Sequence, residues 1–157
     1  MIEVSIPGHG VLRIEHLVLD FNGTLATDGE LVSGVKKRLR ALAEELDIHV
    51  VTADTFGRAK AELKGLPIEL VILPTDVPQD IAKAEYVNRL GAEVTASVGN
   101  GRNDRAMLKQ SALGIAIMLD EGVAVDTLMA ADVVVSDIRF AFDLLIHPLR
   151  LVATLRS

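Results

Sequence analysis

The stretch LVLDFNGTLATDG, Leu17 to Gly29, runs from an uninterrupted apolar segment onto an aspartate, and from there into a turn built around Asn22, Gly23 and Thr24. A short apolar run bounded by turn residues is the pattern of a strand buried on both faces of a parallel sheet. An acidic residue at the carboxyl end of such a strand stands where open α/β sheets bind their ligands. Working outward, the strand itself reads as HLVLDF (His16 to Phe21), and five similar runs follow it. They are IHVVTA (Ile48 to Ala53), IELVIL (Ile68 to Leu73), VTASVG (Val94 to Gly99), LGIAIM (Leu113 to Met118) and DVVVSD (Asp132 to Asp137).

Helical patterns separate these runs. Val35, Leu39, Leu42 and Leu46 recur at helical spacing behind Ser33, a suitable N-cap, with Lys36, Lys37, Arg40, Glu44 and Glu45 on the other side. Further helices are predicted over Thr55 to Leu63, Pro78 to Leu90, Asp104 to Ser111, Val123 to Met129 and Ile138 to Ile146. The opening MIEVSIPGHGVLRI alternates about a Pro-Gly-His-Gly turn and predicts a β-hairpin. The tail LLIHPLRLVATLRS suits either a final packed helix or a subunit interface. Strand and helix alternate throughout, which predicts a Rossmann-like α/β sandwich of three layers, with a mainly parallel sheet and a single domain over residues 1–157.

Composition narrows the function. The chain has 157 residues, half of them hydrophobic, enough for one domain with a sizeable aliphatic core. A net charge of −6 disfavours nucleic acid and anionic membrane surfaces as partners, and one Tyr with no Trp leaves no base-stacking platform. The absence of cysteine excludes disulfides, thiolate metal sites and a thiol nucleophile. With no apolar run of membrane-spanning length and no signal-peptide pattern, the expectation is a cytoplasmic protein. His9, His16, His49 and His147 are scattered without ligand spacing and read as turn, strand-end or surface residues.

Four loops carry the candidate chemistry to one edge of the sheet. Asp20 ends the first buried strand, Thr52 ends the second, Lys83 lies near the start of the helix after the third, and GNGRND (Gly99 to Asp104) ends the fourth. Taken singly, each has an ordinary explanation as a turn, cap or solvated residue. Together they bring a nucleophile, a hydroxyl, an ammonium and a carboxylate to one place, beside a Gly-containing turn able to cradle an anion.

These motifs resemble those of the haloacid dehalogenase superfamily, and among its members the phosphorylation domain of P-type ATPases and their small soluble relatives. DFNGTLA is similar to D-K-T-G-T-L-T, VVTADT to T-G-D, and KAEYVNRLGAEVTASVGNGRNDRAML to the K-A-E and V-G-D-G-x-N-D-x-x-x-L segments. The likeness runs from Leu17 to about Asp137. Asp20 and Thr52 stand too close together for an inserted nucleotide-binding domain, so no pump can be built from this chain, and no large cap fits either. The site is then expected to be open unless a neighbouring copy in a homo-oligomer covers it.

The resemblance implies a phosphohydrolase in which Asp20 attacks phosphorus to form an aspartyl-phosphate on a small phosphorylated substrate. Thr52 and Lys83 would stabilise charge, Asn22 occupies the acid/base position, and Gly23, Thr24, Ala53 and Arg102 would contact substrate. Mg²⁺ would be held by Asp20, the Asn22 carbonyl, Asn100 and Asp104. Arg102 and Arg105 either contact a second phosphate or are solvated surface charges. Two positions depart from the phosphatase pattern. Asn22 cannot shuttle a proton, a loss commonly worth ~10²–10⁴ in rate, so activated substrates such as phosphoanhydrides, acyl phosphates or aryl phosphates are expected to be preferred. Asn100 removes a negative charge from the metal site. The alternatives are a degenerate, non-catalytic module that binds phosphate or metal and, ranked last, a response-regulator receiver, which normally carries its phospho-acceptor on the third strand.

Overall fold

The structure is a computed structural model, and it describes residues 1–54 and 57–157. The chain opens with an antiparallel hairpin, β1 (Ile2–Ile6) and β2 (Gly10–Ile14), that turns through Pro7 to His9. Next come β3 (His16–Asp20) and a second, two-residue hairpin of β4 (Ala26–Thr27) and β5 (Glu30–Leu31). The remaining elements are α1 (Val35–Leu42), β6 (Asp47–Thr52), α2 (Arg58–Glu62), β7 (Glu69–Ile72), α3 (Gln79–Leu90), β8 (Thr95–Gly99), α4 (Arg105–Gln110), β9 (Leu113–Ile117), α5 (Val125–Leu128), β10 (Val133–Val135), α6 (Ile138–Ile146) and α7 (Leu149–Leu155). All six strands expected from the apolar runs pair in one sheet, in the order β10-β9-β8-β3-β6-β7, and every pairing is parallel.

Alternation along the strands divides the core in two. Leu17, Leu19, Ile48 and Val50 face α1, α6, α7 and the N-terminal hairpin, while Val18 and Val51 face α3 and α4. All six side chains are buried, which is why the strands read as unbroken apolar runs. The helix α1 buries Val35, Leu39 and Leu42, and Arg38 fastens it to α6 through a two-pronged bond to Asp143.

Several boundaries differ from the sequence expectation. Ser33 does not cap α1: Gly34, in the left-handed region at φ 87, intervenes as N-cap with no side-chain bond, and the helix ends at Leu42 short of Leu46. The expected start of α2 at Thr55 lies outside the described residues, and the helix runs from Arg58. The tail forms α7, with Leu151 buried and the Ser157 amide bonded to the Pro7 carbonyl. The second hairpin was not anticipated, although its Asp28-Gly29 tip is a type I′ signal: both residues have positive φ, 53 and 83. His16 and His49, distant in sequence, meet at the amino end of the sheet. Their rings approach to 3.4 Å between Nδ1 and Nε2, and Tyr86 bonds the second ring of the pair. Among the described residues no helix is long and apolar enough to cross a membrane.

From β3 the chain builds outward through β6 to β7, then crosses back through α3 to β8 on the opposite side of β3. The loops after β3 and β8 therefore diverge, and the crevice of the sheet opens between them.

Candidate active site

At that crevice Asp20, the last residue of β3, faces Lys83 from α3 and Asp104 from the loop after β8. Lys83 Nζ donates to Asp20 Oδ1 and to Asp104 Oδ1, each at 2.6 Å, and the lysine is fully buried. Asp104 is fixed on its other oxygen, where Oδ2 accepts the Asn100 amide at 3.0 Å and the Gly101 amide at 2.8 Å. Both of its oxygens are thus engaged, whereas Asp20, which lines the cleft, has Oδ2 3.4 Å from the Thr24 hydroxyl.

Two carboxylates share one ammonium, so the triad carries an excess negative charge in a dry place. Burial, and then repulsion from Asp104, push the Asp20 carboxyl up to about 6 against the pull of Lys83. For Lys83, burial opposes the charge, but Asp20 and Asp104 outweigh it and hold the ammonium above its ordinary value. An excess anionic charge beside oxygen donors is an environment that a cation relieves.

The oxygen donors can be named. The Thr24 hydroxyl lies 3.4 Å from Asp20 Oδ2 and 3.3 Å from Asn100 Oδ1, and its single proton serves one of them at a time. Asn100 is held in place by its Nδ2, which donates to the Gly122 carbonyl at 3.0 Å, and by its own carbonyl, which accepts the Ala124 amide. Gly23 permits this approach: its φ is +75, and a Cβ there would collide with the Asn100 amide. The donors suit a hard cation such as Mg²⁺, which takes oxygen ligands and keeps several waters. Among the described residues no group of three His, Cys, Asp or Glu side chains converges as a ready metal cage. The residues fit a cation held by few protein ligands.

The cleft, about 440 Å³, is lined by Asp20, Asn22, Thr52, Ala53, Asn100 and Gly101, together with residues to which the sequence assigned no role in the site. These are Asp54, Arg58, Gln79, Asn103 and Glu121. Asn22 is exposed at the cleft, while Thr52 is buried and its Oγ1 accepts the Asp54 amide at 3.2 Å. Asp54 has φ 35 and accepts the Ala59 and Lys60 amides, so it secures the start of α2. The Gly23 and Thr24 amides are engaged within their own turn, on Ala26 and Phe21 carbonyls. Arg102 stands apart from the cleft wall, 85% exposed and 3.4 Å from Asp126, and Arg105 lines a separate groove with Lys109 and Met129.

Solved structures share this arrangement of sheet and crossovers. A protein from Legionella pneumophila described as a HAD superfamily (subfamily III A) hydrolase superposes with a TM-score of 0.71, at 17% identity over 90% of this chain and 87% of that one. This is the haloacid dehalogenase fold. A second structure with this fold is the 3-deoxy-D-manno-octulosonate 8-phosphate phosphatase of Moraxella catarrhalis, in complex with magnesium, phosphate and sugar. It matches with a TM-score of 0.69 and 16% identity over 85% of this chain and 86% of that one. In sequence, the chain is 40% identical over 83 residues to an uncharacterized protein of Methanocaldococcus jannaschii, covering 50% of this chain and 89% of the other. It is also 34% identical over 107 residues to a protein of Archaeoglobus fulgidus named as a copper-exporting P-type ATPase, covering 67% of this chain but only 13% of the pump. No protein-family model matches the chain. In this chain β3 is followed by the short β4–β5 hairpin, with strands of two residues each, and then directly by α1.

Proposed function

We propose that this chain is a Mg²⁺-dependent phosphohydrolase that works through an aspartyl-phosphate on Asp20. The observation that supports this reading is the asymmetric state of Asp20, a residue of the cleft lining: one oxygen is held at 2.6 Å by a buried lysine, while the other has only the Thr24 hydroxyl, at 3.4 Å, as a side-chain partner among the described residues. A carboxylate fixed on one oxygen is aimed by the other, and alignment of this kind removes much of the entropic barrier to attack.

In the first step Asp20 Oδ2 attacks phosphorus and the bond to the leaving oxygen breaks. Lys83, shared between Asp20 and Asp104, offsets the negative charge that accumulates, and the Thr52 side is available to the phosphoryl oxygens. A bound Mg²⁺ would neutralise phosphoryl and carboxylate charge, held by Asp20, Asn100 and the Asn22 carbonyl, with Asp104 acting by its charge or through water. In the second step water attacks the aspartyl-phosphate and frees Asp20. Asn22 lines the cleft but neither gives nor takes a proton, so both steps depend on the intrinsic basicity of the departing and entering oxygens. Substrates with activated leaving groups follow from this.

The test is phosphate release from p-nitrophenyl phosphate and from ATP with Mg²⁺. Turnover is expected for the natural chain and lost in Asp20→Asn; turnover unchanged in that variant would overturn the nucleophile assignment. A second reading, a phosphate-accepting regulatory module, is favoured by the two asparagines, Asn22 and Asn100. It would be supported by a beryllofluoride complex, or by stable phospho-Asp20, in a chain that releases no phosphate.

A further inference from the structure

The β4–β5 tip is gripped by two residues of the cleft lining, Arg58 and Glu121. Arg58 Nη1 donates to the Asp28 carbonyl at 3.0 Å, and Glu121 Oε1 accepts the Asp28 amide at 3.1 Å. The next residue, Gly29, has φ +83, and a Cβ there would strike both Nη1 and Cδ of Arg58. The tip is therefore shaped so that the arginine lies across it. Among the described residues the guanidinium is anchored through a single nitrogen, which leaves donors to spare, and Arg58 lines the same cavity as Asp20 and Asn22 as well as the groove beside the tip.

The other wall residues sharpen what this guanidinium can meet. Asp54 has both oxygens occupied by the Ala59 and Lys60 amides, and Asn103 is tied to Gln79 at 3.0 Å. Glu121 is an acid that repels an anion, which leaves Arg58 as the one cationic side chain in the cleft lining among the described residues. No aromatic side chain lines the cleft among the described residues.

Resting on the phosphohydrolase reading above, we propose that Arg58 is the leaving-group-binding residue of this site and that its substrate carries a small oxyanion as leaving group. That leaving group is a second phosphate or a carboxylate, which makes the substrate a phosphoanhydride or an acyl phosphate. Such a leaving group also meets the deficiency at Asn22, because a phosphate or carboxylate departs as a stable anion and needs no proton from the protein. With pyrophosphate, Asp20 Oδ2 forms a bond to one phosphorus while the bridging P–O bond breaks and its electron pair leaves on the second phosphate, which Arg58 receives. Water then attacks the aspartyl-phosphate, the bond to Asp20 breaks, and the water's proton passes to product phosphate or solvent. One pyrophosphate and one water become two phosphates.

The experiment compares kcat/KM for pyrophosphate, acetyl phosphate and p-nitrophenyl phosphate in the natural chain and in Arg58→Gln and Arg58→Lys, with Mg²⁺. Loss of a charge-assisted bond to the leaving group predicts a fall of roughly 10- to 100-fold for the oxyanion substrates. A much smaller fall, below about threefold, is expected for p-nitrophenyl phosphate, and partial recovery in Arg58→Lys. Loss on pyrophosphate alone assigns a phosphate leaving group, and loss on acetyl phosphate alone a carboxylate. Equal losses on all three substrates, or no loss on any, would overturn the assignment of Arg58. If Asp20-dependent release from p-nitrophenyl phosphate persists in that case, the phosphohydrolase reading still stands. An absence of Asp20-dependent turnover on every substrate would instead overturn that reading and this one with it.

Discussion

The shared ammonium at the head of β3 makes a prediction about stability that is independent of turnover. Asp20 is buried, and its carboxyl is pushed from the ordinary 3.8 up to about 6 by burial and by Asp104. A folded-state value raised above the unfolded one means that the folded chain binds the proton more tightly between about pH 4 and pH 6. Its contribution is present below that window and is lost as pH rises through it. At about 1.4 kcal/mol per unit, the ionised Asp20 costs the folded state on the order of 3 kcal/mol at neutral pH. The substitution Asp20→Asn keeps an oxygen for Lys83 and leaves the lysine paired with Asp104. In chelator-treated protein at pH 7.5 the variant is therefore expected to be more stable than the natural chain. The gain of 1–3 kcal/mol corresponds to several degrees in Tm for a chain of this size. Urea denaturation across pH 4 to 8 should show the gap closing toward pH 4, and added Mg²⁺ should stabilise the natural chain more than the variant. A variant less stable at pH 7.5, or a gap that does not change with pH, would refute the excess negative charge assigned to this triad.

Other substitutions probe neighbouring parts. Lys83→Met leaves two buried carboxylates facing each other without their cation, with an expected loss of roughly 3–5 kcal/mol near neutral pH, moderated by proton uptake on Asp20; denaturation that is unaffected would contradict the ion triad. Asn22→Asp supplies an acid/base at the cleft and is expected to raise turnover of alkyl phosphates at least about tenfold, measured by phosphate release. No gain there would mean that proton transfer does not limit the rate. Asn100→Asp sets a carboxylate oxygen against the Gly122 carbonyl in place of the Nδ2 donor. The metal-free protein should lose about 1–3 kcal/mol, while Mg²⁺ should stabilise it more than it does the natural chain in thermal melts.

The sheet was legible because its central strands are covered on both faces: Leu17 to Leu19 and Val50 to Val51 are unbroken apolar runs, and the one polar residue between Ile48 and Val51, His49, is itself buried. The convergence of Asp20, Thr52, Lys83 and Asp104 followed from strand ends and motif likeness, but its depth did not. Nothing local says that Lys83 is fully buried, since a lysine in the first turns of a helix reads as a solvated charge. Arg58 was missed for the same reason, at the start of a five-residue helix, and only the left-handed Gly29 beneath it makes its position specific. Conversely, Arg102 sits inside the last motif, yet its side chain turns to Asp126 and solvent. Asp28-Gly29 carried a readable hairpin signal, masked by strands of only two residues. The meeting of His16 and His49 depends on the register between β3 and β6, which spacing along the chain does not reveal.

The ion triad also orders events during synthesis. Asp20 and Lys83 are 63 residues apart, Thr24 and Asn100 76, so while the first part of the chain emerges from the ribosome Asp20 has its neighbour Thr24 but neither Lys83 nor the Asn100 loop. Until Asp104 has been made and α3 has crossed back over the sheet, the segment around Asp20 is an ordinary apolar strand with a solvated acid at its end. The aspartate acquires its buried ammonium and its raised proton affinity together, once α3 and the loop after β8 are in place. On the proposed mechanism, Asp20 therefore gains its phosphoryl-accepting surroundings only when the fold is complete.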